Sequence, residues 1–231
     1  MVPKSNFKER VQPRDEFLSA YASIRKTSGK MRDGNFDAAA EGVFDVLATM
    51  RFLVGCYSRY EFALKHITYD DVVMDIPCGE GYGSALLARM AMHVYGIDRD
   101  SRTIKAARDR YGYPNLTFIE GDMIGGKFPV VDVVVCYEGL EHIADGAAFM
   151  NGIMEVINKD RGLIIVSVPV NELFITDGVQ NPYHLSDYSP DELEAFLLDY
   201  CHDVTLFGTD MMGSVSSVEN AVASIIAVGE V

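Results

Sequence analysis

The sequence predicts an α/β fold, a doubly wound and mostly parallel sheet of seven strands whose last strand runs antiparallel. Three observations carry this. The stretch Asp71 to Arg89, DVVMDIPCGEGYGSALLAR, reads as a strand, a tight glycine turn and a helix. Between residues 92 and 168, short and almost continuously apolar runs alternate with helical segments, the pattern of strands buried on both faces of a parallel sheet. The chain then closes on two apolar runs joined by a short connection. A parallel crossover needs roughly a dozen residues or more, so this pair is expected to be antiparallel.

In chain order, residues 1–38 are polar, mixed in charge and interrupted by Gly29 and Gly34. They are expected to form an arm with at most one helix, around Asp15 to Arg25, ahead of a single domain over 39–231. From Ala38 to Ile67 apolar residues recur at helical spacing, predicting one or two helices that pack on the sheet edge and cap a cleft. The strand at Val72 enters the glycine turn, and a helix is expected from Ala85 to Met90. A strand over Met92 to Ile97, a helix over Ser101 to Tyr111, and strands over Asn115 to Glu120 and Val130 to Cys136 follow. A helix from about Ala144 to Asn158 and a strand over Gly162 to Val168 complete the alternation. Ser189-Pro190-Asp191-Glu192 has the form of an N-cap with proline at the first helical position, opening a helix to about Tyr200. Strands over Asp203 to Gly208 and Ala221 to Val228 end the chain.

Composition narrows the classes of function. The 231 residues carry a formal charge of −14, and it is unevenly placed. Residues 1–35 hold eight Lys/Arg against four Asp/Glu, which leaves 12 against 30 for the remainder, and no Lys or Arg follows Arg161. An acidic body repels phosphates, which argues against a nucleic-acid substrate and for a small molecule, although solubility alone also accounts for the acidity. No apolar run is long enough for a membrane span and MVPKSNFKER has no signal-peptide core, so a cytoplasmic protein is expected. Cys56, Cys78, Cys136 and Cys201 are widely spaced and read as buried thiols.

Ligands of open parallel sheets bind at the carboxyl ends of the strands. The residues there are Asp75 and the turn with Cys78, Gly79 and Gly81 after the first strand, Asp98 and Arg99 after the second, Asp122 after the third, Tyr137 and Glu138 after the fourth, and Pro169 to His184 after the fifth. Glycines there let a nucleotide approach the helix start, or serve only helix–strand packing. An acid after the second strand is placed to accept ribose hydroxyls. G-x-G-x-x-G is not satisfied: Ser84 or Leu86 stands at the third glycine position, which disfavours a nicotinamide-dependent oxidoreductase.

These motifs together resemble class I S-adenosylmethionine-dependent methyltransferases. DIPCGEGYGS is similar to that family's first motif, YGIDRD to its ribose-binding loop, EGDMI to its adenine-binding loop, VDVVVCYEGLEHI to its fourth-strand motif and GLIIVSVPVN to its fifth strand. The resemblance covers about residues 50 to 200 and implies a Rossmann-like methyltransferase fold. It places Asp98 on the ribose, Asp122 and the Met123 backbone on the adenine, and Asp75 with the Gly79 to Gly81 turn near the methionine part. Pro77 departs from the pattern by standing where the family has its first glycine. Having no N–H, it leaves backbone contacts to Cys78, Gly79 or Gly81. Arg59 and Tyr60 resemble residues that lie over the cofactor in related enzymes; a surface arginine and a packed tyrosine are the alternative.

Glu138, Glu141 and His142 stand at i, i+3 and i+4, expected on one face of the first helical turn after the fourth strand. Two carboxylates and an imidazole suit a hard or borderline divalent ion, and His184 could complete the set. E-x-x-E-H with a later His is similar to metal-dependent O-methyltransferases of small-RNA ribose ends and of the ubiquinone pathway. That likeness implies Mg2+ or Mn2+ on two adjacent substrate oxygens, with Glu138, His142 or His184 serving catalysis and one of the histidines taking the hydroxyl proton. Helix-dipole acids and a surface histidine are the alternative. No [DNS]-P-P-[YFW] or Pro-Cys element follows the fourth strand, as base-methylating enzymes would need. The expected activity is methyl transfer to a hydroxyl of a small molecule such as a sugar, sugar nucleotide or quinone precursor. Nicotinamide-dependent oxidation, or S-adenosylmethionine binding without transfer, are the alternatives.

Overall fold

A computed structural model describes residues 46–122, 124–170, 184–210 and 213–231. The expected arm at 1–38, Met123 and the segment Asn181-Pro182-Tyr183 lie outside the described residues.

The elements are α1 (Val46–Ala63), β1 (Val72–Asp75), α2 (Tyr82–Leu87), β2 (His93–Asp98), α3 (Ser101–Arg110), β3 (Leu116–Glu120), β4 (Val133–Tyr137), a 3₁₀ turn (Leu140–His142), α4 (Gly146–Val156), β5 (Leu163–Pro169), α5 (Pro190–Leu198), β6 (Asp203–Thr209), β7 (Val215–Ser217) and β8 (Ser224–Glu230). The strands form one sheet in the order β3-β2-β1-β4-β5-β8-β6-β7. Pairing is parallel from β3 through β5 and antiparallel for β5–β8, β8–β6 and β6–β7. The sheet therefore has eight strands where seven are predicted. The extra one, β7, is three residues long with two of them exposed, so it has no apolar run to announce it. Strand β6 and strand β8 pair antiparallel, as their short connection requires.

Alternation along each strand sends neighbouring side chains to opposite layers. On one face Met74, Val134, Cys136, Ile164, Val166 and Ala227 pack under α4 and α5. On the other, Val73, Val133, Val135, Ile165 and Ile226 meet Tyr57, Tyr60 and Phe62 of α1 and Leu86 and Leu87 of α2. Helix α1 thus lies across a face of the sheet, reaching Phe207 of β6 through Phe62 (ring centroids 5.0 Å apart), and not at the sheet edge as expected. The reason is its aromatic content, which needs a broad apolar face for burial.

Local signals set the helix starts. The Asp100 carboxylate accepts from the Arg102 N–H, that of Asp145 from the Ala148 N–H, and Ser189 with Glu192 forms a reciprocal capping box ahead of Pro190. Helix α2 starts at Tyr82, earlier than Ala85, because Gly81 takes the left-handed conformation (φ 82°) that turns the chain straight into it. At the amino end of the sheet Arg161 bridges Asp71 (3.2 Å) and Asp132 (2.9 Å), tying β1, β4 and β5 together. None of the four cysteines is in a disulfide, and all are buried. No helix among the described residues is long and apolar enough to cross a membrane.

The chain leaves β1 toward β2 and β3, then returns to place β4 on the other side of β1. That reversal opens a crevice above the carboxyl ends of β1 and β4, where Asp75 and Tyr137 end their strands. Close packing of α1 on α2 closes its floor: a Cβ on Gly83 would lie 1.9 Å from Tyr60 Cζ. Gly83→Ala is expected to cost about 1–3 kcal/mol, a fall in Tm of about 2–12 °C for a chain of this size, read by thermal unfolding of the two proteins side by side.

Candidate active site

Asp75 closes β1 with a carboxylate that has no exposure to water. Its Oδ1 accepts from the Tyr60 hydroxyl (3.0 Å) and its Oδ2 from Ser84 Oγ (2.6 Å). Burial pushes its pKa up to about 7 against those hydrogen bonds, with the nearby Asp98 charge adding to the rise. Tyr60 is itself buried, its ring edge-on to Tyr82 and Tyr137 at 5.3 and 5.1 Å. The Tyr137 hydroxyl, also buried, donates to the Arg59 carbonyl (2.8 Å). Sequence reasoning set Tyr60 and Tyr137 as cofactor contacts; both hydroxyls are engaged inside the protein.

The glycine turn spends its own donors. The Cys78 N–H goes to the Ile97 carbonyl (2.8 Å), the Gly79 N–H to Asp98 Oδ2 (3.1 Å) and the Gly81 N–H to the Cys78 carbonyl (3.1 Å). Asp98, ending β2, also accepts the Asp100 N–H through Oδ1 (2.9 Å). The turn thus keeps these three N–H groups within the protein and sets the Asp98 carboxylate beside them, unlike the open N–H cradle that binds phosphate. Cys78 is buried, which pushes its thiol pKa up and keeps it neutral. Pro77 follows a cis peptide bond and packs against Gly139, where a Cβ would come within 2.4 Å of its Cδ. Proline thus fills the space between the turns after β1 and β4. Arg99 and Asp122 are exposed, the latter accepting the Ile124 N–H through its side chain (3.0 Å).

The turn after β4 differs from the expected helix. Glu138 stands outside any helix with φ 49°, a left-handed conformation costing on the order of 1 kcal/mol in a residue with a Cβ. Ser167 on the neighbouring β5 holds it there. Ser167 Oγ donates to Glu138 Oε1 (2.9 Å) and accepts the Glu138 N–H (3.2 Å), which also reaches the Ser167 carbonyl (3.0 Å). Only Leu140–His142 forms a 3₁₀ turn, and α4 begins at Gly146. The three residues do not share a helical face, because Gly139 breaks the chain direction immediately after Glu138.

Glu141, His142 and His184 nevertheless converge: one ligand atom from each lies within 4.8 Å of the others. The Glu141 carbonyl accepts the N–H groups of Leu185 (2.7 Å) and Ser186 (3.2 Å), which pins the segment carrying His184 beside the 3₁₀ turn. The two imidazole rings lie edge to face at 5.0 Å. Glu141 is buried, and its Oε2 has no hydrogen-bond partner, an orphaned acceptor that a divalent ion would satisfy. Burial, with the neighbouring Glu138 charge, pushes Glu141 up to about 8. Burial and the charge of His142 lower His184. Arg59 lies buried nearby, its guanidinium donating to Ser224 Oγ (3.3 Å); Glu138 raises its pKa against the cost of burial.

Sequence reasoning missed Ser84, Ser167 and Ser224. Ser167 carried a signal, a lone hydroxyl in the apolar run LIIVSVP.

A parallel sheet reversed at β1/β4, with acids closing β1 and β2 around a glycine turn, defines the class I S-adenosylmethionine-dependent methyltransferase architecture. Residues 67–195 match the family model described as a methyltransferase domain, and the chain belongs to that family. It is 33% identical over 132 residues to a probable S-adenosylmethionine-dependent methyltransferase of Mycobacterium tuberculosis, an overlap of 55% of this chain and 47% of that protein. It is 28% identical over 102 residues to the mitochondrial ubiquinone biosynthesis O-methyltransferase of Schizosaccharomyces pombe, covering 42% of this chain and 37% of that one. The chain thus spans about half the length, or less, of these curated relatives. Among solved structures, magnesium protoporphyrin IX methyltransferase from Synechocystis, with bound S-adenosylmethionine, superposes with TM-score 0.58 at 18% identity, covering 100% of this chain and 99% of that one.

The Ser167 brace can be checked directly. Ser167→Ala removes both side-chain bonds to a strained Glu138 and is expected to lower stability by about 1–2 kcal/mol, measured as a shift in urea midpoint at unchanged slope.

Proposed function

We propose that this protein transfers a methyl group from S-adenosylmethionine to a hydroxyl of a small molecule, assisted by a divalent ion. The observation that carries the reading is the pairing of an oxygen-lined glycine turn with the Glu141–His142–His184 cluster across the β1/β4 crevice. Asp98 accepts the ribose hydroxyls, Asp122 meets the adenine, and the turn around Gly79 and Gly81 seats the methionine part. Oxygen acceptors suit the ammonium and sulfonium of that ligand and oppose a pyrophosphate, which weighs against the nicotinamide alternative.

Glu141, His142 and His184 would hold the ion, with Glu138 beside them on its Ser167 brace. When bound, the ion supplies Lewis acidity toward a hydroxyl oxygen. Burial and the charge of His142 lower the His184 pKa, which keeps its imidazole neutral near pH 7, the form a metal ligand requires. Two imidazoles with one carboxylate make a borderline set, favouring Mn2+ over Mg2+. The acidic surface and the absence of Lys and Arg after Arg161 support a small acceptor over a nucleic acid.

Two outcomes are expected. Asp98→Asn, which keeps the side-chain volume and removes the charge, weakens S-adenosylhomocysteine binding about tenfold or more in calorimetry, the order of one charge-assisted hydrogen bond. Transfer of labelled methyl to a panel of hydroxylated metabolites stops in chelator and returns with Mn2+ more fully than with Mg2+. Undiminished turnover in chelator would remove the ion from the scheme, and label appearing only in RNA would replace the small acceptor.

A further inference from the structure

The mechanism leaves unexplained why a fully buried carboxylate at the end of β1 is furnished with two hydroxyl donors from two different helices. Tyr60 reaches it from α1 and Ser84 from α2, at 3.0 and 2.6 Å. Neither hydroxyl is needed to fill space alone, and both favour the charged form of the acid. Burial, with a second carboxylate at Asp98 beside the same turn, raises the pKa of Asp75 despite these hydroxyls and the Ser84 N–H, so hydrogen bonds alone do not fully offset the cost of its charge. With the N–H groups of Cys78, Gly79 and Gly81 engaged internally, the turn offers Asp75 no backbone cation-like partner from those three positions. None of the principal groups acting on Asp75 is a cation.

The methyl donor and its demethylated product differ in one methyl group and one unit of charge. Shape discriminates poorly against loss of a methyl group, whereas a fixed charge in a water-excluded site acts strongly on a sulfonium and hardly at all on a thioether. We propose that Asp75, held by the hydroxyls of Tyr60 and Ser84, is the specificity-determining group that distinguishes the sulfonium donor from the neutral thioether product, so that methyl transfer itself weakens the product's hold. The inference rests on the reading that the donor sits on the Gly79 to Gly81 turn.

The groups facing Asp75 are Tyr60 and Ser84 from the helices, Cys78 on the turn, Asp98 at the end of β2, and Cys136 and Tyr137 on β4. Burial pushes the two thiols and both phenols upward, which keeps them neutral near pH 7. Asp75 is pushed up to about 7. Below that pH it is protonated and cannot favour the cation; above it the charge is present. Preference for the donor must therefore grow as pH rises.

Calorimetry with S-adenosylmethionine and with S-adenosylhomocysteine, from pH 6 to 8.5, gives the ratio of the two affinities and cancels whatever the ligands share. In the wild type the ratio is expected to move about tenfold toward the donor across this range. Asp75→Asn holds the ratio at its low-pH value throughout, and Ser84→Ala moves the rise to higher pH. A ratio that stays flat in the folded wild type, or one that keeps its rise in Asp75→Asn, overturns the inference. Should Asp75→Asn fail to fold, the wild-type profile and its displacement in Ser84→Ala decide the matter. Absence of heat from both ligands at every pH would instead overturn the donor seat itself.

Discussion

Burying a carboxylate without a counter-ion is among the more costly things a fold can do, and this protein does so at Asp75, in the crevice where its two half-sheets part. The cost is held down by three elements converging on one side chain. Helix α1 delivers Tyr60, helix α2 delivers Ser84, and β1 delivers the acid. Much of the surrounding geometry follows. Tyr60 can reach Asp75 only because position 83 has no side chain, and Phe118 can pack close to the turn only because positions 81 and 96 have none. The glycines of this turn are thus read first as making room for aromatic rings, with the left-handed backbone at Gly79 and Gly81 as their second service.

Next to this crevice, the ends of β4 and β5 build a second polar centre by a different device. Strand β4 is buried along its whole length, and the chain must leave it abruptly for the 3₁₀ turn. Glu138 makes that exit in a conformation disfavoured for its residue type, and Ser167 on the next strand compensates with its hydroxyl and carbonyl. The exit directs Glu141 inward, where its carbonyl fastens the segment bearing His184. Arg59 closes the arrangement from α1, a buried guanidinium set among Ser224, Cys56 and the Glu138 charge. Adjacent residues of one helix, Arg59 and Tyr60, therefore serve the two centres separately.

Four acids, Asp75, Asp98, Glu138 and Glu141, stand at this end of the sheet, and among the described residues Arg59 is the buried guanidinium beside them; burial holds Asp75 and Glu141 partly protonated near neutral pH until a cation arrives. Such a site pays in stability and gains selectivity for cationic ligands, a sulfonium on one side and a divalent ion on the other. An overall charge of −14 extends the same field outward.

Local order was legible from the residues in hand. Apolar runs of the right length located the strands of the parallel half, glycine spacing located the turn after β1, and Ser189 with Glu192 announced α5, because each of these depends on neighbours within a few positions. The short strand β7 escaped, having too little apolar surface to leave a pattern. Spacing also misplaced Glu138 on a helix, since i, i+3 and i+4 arithmetic assumes a regular backbone that Gly139 does not continue. Partnerships across long separations were decided by the tertiary structure alone: Tyr60 with Asp75, Glu138 with Ser167, Arg59 with Ser224, and His184 with the turn at Glu141. Periodicity states which way a side chain faces along its own element. Which polar atom it meets depends on how that element crosses another, and that is fixed only when the two apolar layers close on the sheet.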